Sequence, residues 1–576
     1  MLQRDYIQRL IREFMAALER MLEKKEVEER REKIRELYNQ YVGPYAFYSI
    51  ATIEDVMKAM AGIEDEEKRL SKMDMLAELY YHEADTVGQP TRDELLNKAF
   101  MLFDYVETHG DTFSIERRNK MAQIKAQSSK STNDMTVGSP LQAIIKFAIP
   151  LILGYILQQM YLIIDAAIVG RWIGVGALAA VGASSSIMFL IMGFCNGSCA
   201  GFAIPIAQAF GAKDYAKMRA YVSNSIRIAV VFAVVITFLS CIFCGKILHL
   251  VNTPKEVFDD AYIFQMLQFA AIPFTIAYNL LSGQIRALGN SKQPFYFLIT
   301  ASVINIILDG ILILGMGLGV EGAGIATWLS QGISVLLCIW FIKKKMQILI
   351  PKGEERKFDN KKVSILLNNG VPMGLQFSIT AIGLIMLQSA NNALGTVYVA
   401  AFTASMRIKY LFTCVFENIG VAMATYCGQN LGARKLDRIG QGVRAAIRMM
   451  LVYFVFTFLL IYPFADEMMM LFVDKGEAEV VTYAAQFMRI ANYFYPCLGL
   501  LTILRYSIQG LGYSNLSMLS GVMEMIARCG VSLWLVPALA WTGVCFGDPV
   551  AWVMADLFLI PAFLWLYKHL KKEQVR

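Results

Sequence analysis

Two carboxylates interrupt long apolar stretches of this 576-residue chain: Asp165 in Tyr161-Leu-Ile-Ile-Asp165, and Asp309 in Asn305-Ile-Ile-Leu-Asp309. The four-residue spacing puts Tyr161 beside Asp165, and Asn305 beside Asp309, on one face of a helix. A carboxylate in hydrocarbon is costly unless it is paired, hydrated or protonated, so each is a functional candidate. Two such groups in a partly dry pocket repel each other, and the pattern predicts that at least one takes up a proton near neutral pH. Oxygen donors from Asp165, Asp309 and Asn305 suit a sodium ion equally, because hard cations prefer such ligands. The sequence does not choose between proton and sodium.

The remaining charges in apolar runs read differently. Glu524 and Arg528 are four residues apart and predict a structural ion pair on one helix. Glu417 has no basic residue at that spacing; it either lines a substrate cleft, with Gln376 as a second cleft residue, or bonds to Arg407 or a neighbouring helix. The deep charges therefore read as acids gathered mainly in the first half. His82 and His109 are read as lone, structural histidines, and the ten cysteines, mostly inside apolar runs, as packing residues. There is no Walker loop, no Gly-x-Ser-x-Gly elbow and no metal-ligand cluster. The expectation is a protein that is not an enzyme and takes no cofactor beyond a coupling ion.

The elements that position these groups follow from composition. With 56% hydrophobic residues and a mean hydropathy of +0.46, the chain is richer in apolar side chains than a soluble protein of its size. A span needs about 20 apolar residues. Twelve are predicted, near 141–169, 177–209, 219–245, 262–287, 294–317, 320–342, 363–391, 398–430, 441–464, 484–510, 516–540 and 548–570. The net charge of +7 sits in short loops instead of one continuous patch, which argues against nucleic acid. Lys213, Lys217 and Arg219, the run from Lys343 to Lys362, and Arg434, Lys435 and Arg438 all fall in even-to-odd connections. The positive-inside rule makes these connections, and both termini, cytoplasmic.

The first 130 residues are instead crowded with charge. Ile7, Leu10, Ile11, Phe14, Leu18 and Met21 recur at helical steps, and further helices are expected near 23–36, 52–61, 66–84, 91–108 and 114–126. No signal peptide is expected at the N-terminus. The fold class is thus all-α: twelve transmembrane helices in two pseudo-symmetric six-helix lobes behind a small soluble helical domain. The expected divisions are 1–127 for that domain, 128–139 for a flexible linker, 140–345 for the N-lobe, 346–362 for a basic loop and 363–572 for the C-lobe.

The lobes repeat in sequence. Gln208-Ala-Phe-Gly-Ala212 after span two answers Gln429-Asn-Leu-Gly-Ala433 after span eight, 221 residues later. Ile285-Arg-Ala-Leu-Gly-Asn-Ser291 answers Ile508-Gln-Gly-Leu-Gly-Tyr-Ser514, and Pro150 answers Pro372. An even number of spans separates them, so the halves share orientation about an axis along the membrane normal.

On these doubled motifs and the twelve spans, the chain resembles the multidrug and toxic compound extrusion family over about 136–572. The resemblance implies a bacterial inner-membrane antiporter that expels small organic compounds, often cationic or amphiphilic, in exchange for protons or sodium ions. It also implies that Asp165, Asp309, Tyr161 and Asn305 line an N-lobe cation site, with Thr327 as a further hydroxyl and Asn279 as an outlying member. A monomer in the lipid bilayer is expected, with an unidentified protein partner for residues 1–127 left open. One alternative is a lipid-linked saccharide flippase of the same superfamily, which needs a cationic cleft for pyrophosphate. Another is a membrane-anchored scaffold or signalling protein acting through the N-terminal domain.

Overall fold

The computed structural model describes residues 2–23, 26–87, 91–110, 114–128, 132–168, 185–250, 258–470 and 477–575. The chain divides into two compact units, Met1–Thr132 and Asn133–Arg576.

The first unit is built from α1 (Leu2–Leu22), α2 (Val27–Leu37), α3 (Tyr45–Tyr48), α4 (Ile53–Ala61), α5 (Glu66–Glu83), α6 (Thr91–His109) and α7 (Ile115–Ser128). The apolar stripe of α1 forms part of its core: Phe14, Leu18 and Met21 pack with Leu76, Leu102 and Phe103. Buried charges here are matched. Arg117 forks onto both oxygens of Asp74 at 3.0 Å, and Lys120 donates to both oxygens of Glu78 at 2.9 and 2.8 Å. His82 is not alone as expected: Glu78, one turn earlier on α5, lies 3.5 Å from its Nε2. Burial opposes the charge on Glu78, but the bonds from His82 and Lys120 outweigh it and hold the carboxyl below the usual glutamate range. His109 bonds the Tyr105 carbonyl at 3.0 Å and stacks on that ring.

Among the described residues the second unit holds eleven helices long and apolar enough to cross a membrane, and a bent pair completes a twelfth. In a hydrocarbon solvent every backbone group must find its partner within the helix, which is why apolar runs of this length take this form. The spans, numbered in chain order, are Pro140–Ile168, Ser185–Gly211, Tyr215–Leu250, Phe258–Ala287, Lys292–Asp309 and Val320–Lys345 for the N-lobe. The C-lobe has Asn360–Asn392, Thr396–Gly432, Leu436–Met469, the pair Ala478–Tyr493 and Tyr495–Gly510, Ser514–Leu539 and Trp541–Gln574. Span ten bends by 53° where Pro496 opens its second helix, since proline has no N–H to continue the ladder.

The lobes touch through backbone along spans two and seven, where Gly197 and Gly201 face Met373 and Gly370, and again at the end of the bundle where the basic loops gather. Gln208 donates its Nε2 to the Gly510 carbonyl at 3.0 Å, and Gln429 donates its Nε2 to the Ala287 carbonyl at 2.8 Å. These are the glutamines of the repeated motif, and each grips the end of the other lobe's fourth span. The motif glycines allow it: a Cβ at Gly211 would lie 1.9 Å from the Gln429 carbonyl oxygen, and one at Gly432 1.8 Å from that of Gln208.

Each lobe also clasps the segment that leads into the other. Residues 133–138, expected to belong to a flexible linker, are bound instead. Asn133 N–H donates to Leu288 O in the N-lobe, whereas Met135 N–H donates to Gln429 Oε1 in the C-lobe. Arg438 donates to the Met135 and Gly138 carbonyls, and Lys435 to that of Thr136. These carbonyls found partners because two long cations, Lys435 and Arg438, stand at the start of span nine. Ahead of span seven, Glu355 forks onto Arg219 at 2.7 Å and the Asp359 N–H donates to Asn224, both on span three. Accordingly Ile144, Phe147 and Ala148 of span one lie in the C-lobe core, and Leu366 of span seven lies in the N-lobe core.

Two outcomes are expected. Gly432→Ala places a methyl where only backbone now fits, so the lobes must part by more than an ångström at this end. Electron-spin distance measurements between labels on exposed residues 217 and 441 should report a longer separation than in the unsubstituted chain. Lys120→Met strands Glu78 with His82 alone and destabilises the first unit by ~3 kcal/mol at pH 7, read as faster hydrogen exchange in α5 of the full chain. Because the Glu78 carboxyl is depressed on folding, its contribution is present above about pH 4 and fades as pH falls through the folded value. The gap between the two chains should therefore narrow in acid.

Candidate coupling site and inter-lobe cavity

Span five brings Asp309 and Asn305 to one buried face, with Asp309 fully buried and Asn305 2% exposed. Immediately after Asp309 the helix widens into a π turn, Gly310–Gly315, a distortion common at functional sites. Asn305 Nδ2 donates to Ser330 Oγ at 3.2 Å on span six, and Ser330 Oγ donates to the Thr327 carbonyl at 2.9 Å. The Thr327 hydroxyl donates to Ala323 O at 3.0 Å. Asn305 Oδ1 accepts no hydrogen bond among the described residues. An oxygen without a donor beside a buried carboxylate suits a water or a cation.

Asn305, Asp309 and Thr327 are thus brought to one pair of spans, with Ser330 as the member the sequence reading did not name. Its signal was available: Ser330 and Ser334 follow Thr327 at helical spacing. Tyr161 is half-buried on span one, while the side chain of Asp165 lies outside the described residues, so its approach to Asp309 does too. Asn279 does not hydrogen-bond into the set; it donates to Asn196 of span two at 2.7 Å and to the Thr275 carbonyl at 2.9 Å.

The C-lobe corrects the expectation that deep charge gathers in the first half. Glu524 and Arg528 do pair, at 3.3 Å, but within a ladder across four spans. Lys409 on span eight bonds Asp548 on span twelve; Asp548 bonds Arg528 on span eleven at 3.1 Å; and Glu524 bonds Arg505 on span ten. The spacing rule could detect only the pair that shares a helix. Asp556, 6% exposed, lies two turns beyond Asp548 on span twelve. Glu417 bonds neither Arg407 nor the ladder; its carboxylate accepts from Tyr506 at 3.2 Å. Gln376 is not a cleft residue: it is 3% exposed and its Oε1 accepts from Gln509 at 2.8 Å and Ser517 at 2.9 Å. Two donors inside the C-lobe hold it in helix packing.

Between the lobes, next to the glutamine clasp, lies a cavity of about 60 Å³ bounded by Ala203, Gly283 and Arg286 of the N-lobe and by Val421, Thr425 and Tyr506 of the C-lobe. Its wall is apolar apart from the Arg286 side chain and the Thr425 and Tyr506 hydroxyls. Among the described residues there is no cluster of three His, Cys, Asp or Glu fit for a metal ion.

The MatE family model matches twice, over residues 150–311 and 371–534, one match to each lobe. A probable multidrug resistance protein of Bacillus subtilis, YoeA, is 29% identical over 443 residues, covering 75% of this chain and 94% of its own. A second from the same organism, YpnP, is 30% identical over 410 residues, covering 70% and 88%. Among solved structures, the outward-facing conformation of a multidrug resistance MATE family transporter of the MOP superfamily superposes with a TM-score of 0.72 at 22% identity. It covers 77% of this chain and 99% of that one, which supports the two-lobed fold. The chain therefore belongs to the MatE family, as a membrane transporter of many spans and not an enzyme.

Proposed function

We propose that the chain is a secondary active efflux antiporter. It exports small organic, amphiphilic compounds from the cytoplasm in exchange for protons or sodium ions, by alternating access between its lobes. Both curated relatives carry multidrug resistance in their names, and the positive-inside rule applied to the basic loops supports a clasped end on the cytoplasmic side of a bacterial inner membrane. The observation that carries the reading is Asp309, fully buried beside the unfilled oxygen of Asn305. A carboxylate kept in that setting has its charge state tied to whether a proton or cation is bound, and the helix packing around it must answer to that change.

The clasp supplies the other half of the cycle. With Gln208 and Gln429 engaged, the cavity is shut toward the cytoplasm, and release of the two bonds would admit substrate from that side. The flippase alternative asks for a cationic cleft; Lys409, Arg505 and Arg528 are each bonded to a carboxylate inside the C-lobe, and among the described residues Arg286 alone brings a positive charge to the cavity wall, one cation against the several negative charges of a pyrophosphate. The scaffold alternative gives no reason for a duplicated bundle with a buried acid.

In vesicles carrying an imposed proton or sodium gradient, Asp309→Asn should lower gradient-driven dye export at least about tenfold, the loss expected when a coupling group cannot change charge. The protein should remain in the membrane at equal amount. Export by this variant at the unsubstituted rate would remove Asp309 from the mechanism.

A further inference from the structure

The fourth spans of the two lobes end in matching sequence, with Arg286 at the position where the C-lobe has Gln509. Their side chains do different things. Gln509 is fully buried and its amide N–H groups donate to Gln376 and Ser517, both at 2.8 Å. Arg286 borders the inter-lobe cavity and, among the described residues, makes one hydrogen bond, from Nη1 to Ser282 Oγ at 3.2 Å, although a guanidinium carries five N–H donors. Its titratable neighbours are Tyr278, Cys338 and Cys199, none of them a carboxylate. Lys409, Arg505 and Arg528, the cations buried in the bundle, each have one, whereas Arg286 is half-buried.

We propose that Arg286 is an anion-binding group in the transport path, selecting amphiphiles that carry a carboxylate or sulfonate beside an apolar body. A guanidinium in a low-dielectric cleft attracts an anion strongly and repels an organic cation, and its planar fork suits a two-oxygen head group. The rest of the wall is mostly apolar, with Ala203, Gly283 and Val421 lining the same cavity, so opening of the clasp would set an apolar surface beside the charge. Its position makes it a selector as well. Ala287, the next residue, is the carbonyl gripped by Gln429, so Arg286 is among the first charges met when the clasp opens. The substrate class differs from the organic cations that the family resemblance implies. This inference rests on reading the cavity as part of the transport path.

Direct binding keeps the two claims separable. Carboxyfluorescein anisotropy with the purified full chain should show saturable binding, weakened about tenfold in Arg286→Gln and partly restored in Arg286→Lys, which keeps the charge but loses the fork. Ethidium should compete poorly. Equal carboxyfluorescein affinity in the Gln variant and the unsubstituted chain, with both eluting as single folded species, would overturn the proposal, as would absence of binding to the unsubstituted chain. Export of both dyes from vesicles is measured in parallel. Carboxyfluorescein binding without export of either dye would count against the efflux reading while sustaining the anion site; export of ethidium alone would do the reverse.

Discussion

Two glutamine side chains reach across the lobe boundary and tie the lobes together at one end of the bundle. Gln208 and Gln429 each donate to the last carbonyls of the opposite lobe's fourth span, and they can do so only because Gly211 and Gly432 let the ends of spans two and eight touch through backbone. Desolvated amide-to-carbonyl bonds are modest in net worth but expensive to leave unmade. The end therefore stays shut until both donors find other partners or water. The exchanged leading segments share the same logic: Met135 is held by the C-lobe and Glu355 by the N-lobe, so neither lobe can swing without releasing a segment that belongs to the other.

Span one joins this clasp to the buried acid. Its first turns pack in the C-lobe core through Ile144, Phe147 and Ala148, and further along Gly154 sits against Phe295 and Leu298 of span five, the helix that carries Asp309. A shift of span five would therefore meet a helix whose other end is lodged in the opposite lobe. The C-lobe is built in the contrary manner. Its ladder from Lys409 to Arg505 matches buried cation to buried anion, an arrangement in which removing one partner costs more than the pair contributes. The N-lobe holds Asp309 next to the Asn305 amide oxygen, whereas the C-lobe holds a ladder of matched charges, with Glu417 and the buried Asp556 as carboxylates outside it.

The architecture was legible because its cause is local. Apolar runs of spanning length must become helices, and most of their bounds in the structure fall within about five residues of those read from hydropathy; the end of span five and the starts of spans ten and twelve differ by six to eight, and the start of span two at 177 lies outside the described residues. The juxtaposition of Asn305 with Asp309 was legible for the same reason, since one helix sets it. What escaped was decided between helices. Asp548 reaches Lys409 and Arg528 from a third span, Gln376 turns inward toward Gln509, and Met135 inserts where a small polar run suggested a free linker. Even His82 had its carboxylate one turn away on the same helix and was read without it. Pairwise spacing within a segment cannot report partners chosen by tertiary packing.

The central claim is that the ionic state of Asp309 governs the clasp. Hydrogen exchange of the amides in 133–138, 208–213 and 429–435, measured on the full chain in lipid nanodiscs across a proton and a sodium titration, tests it directly. The account predicts that protection of these three segments changes together with one of the two ions, and that Asp309→Asn makes it flat. Protection at the seam that ignores both ions in the unsubstituted chain, or that responds unchanged in the variant, would contradict it.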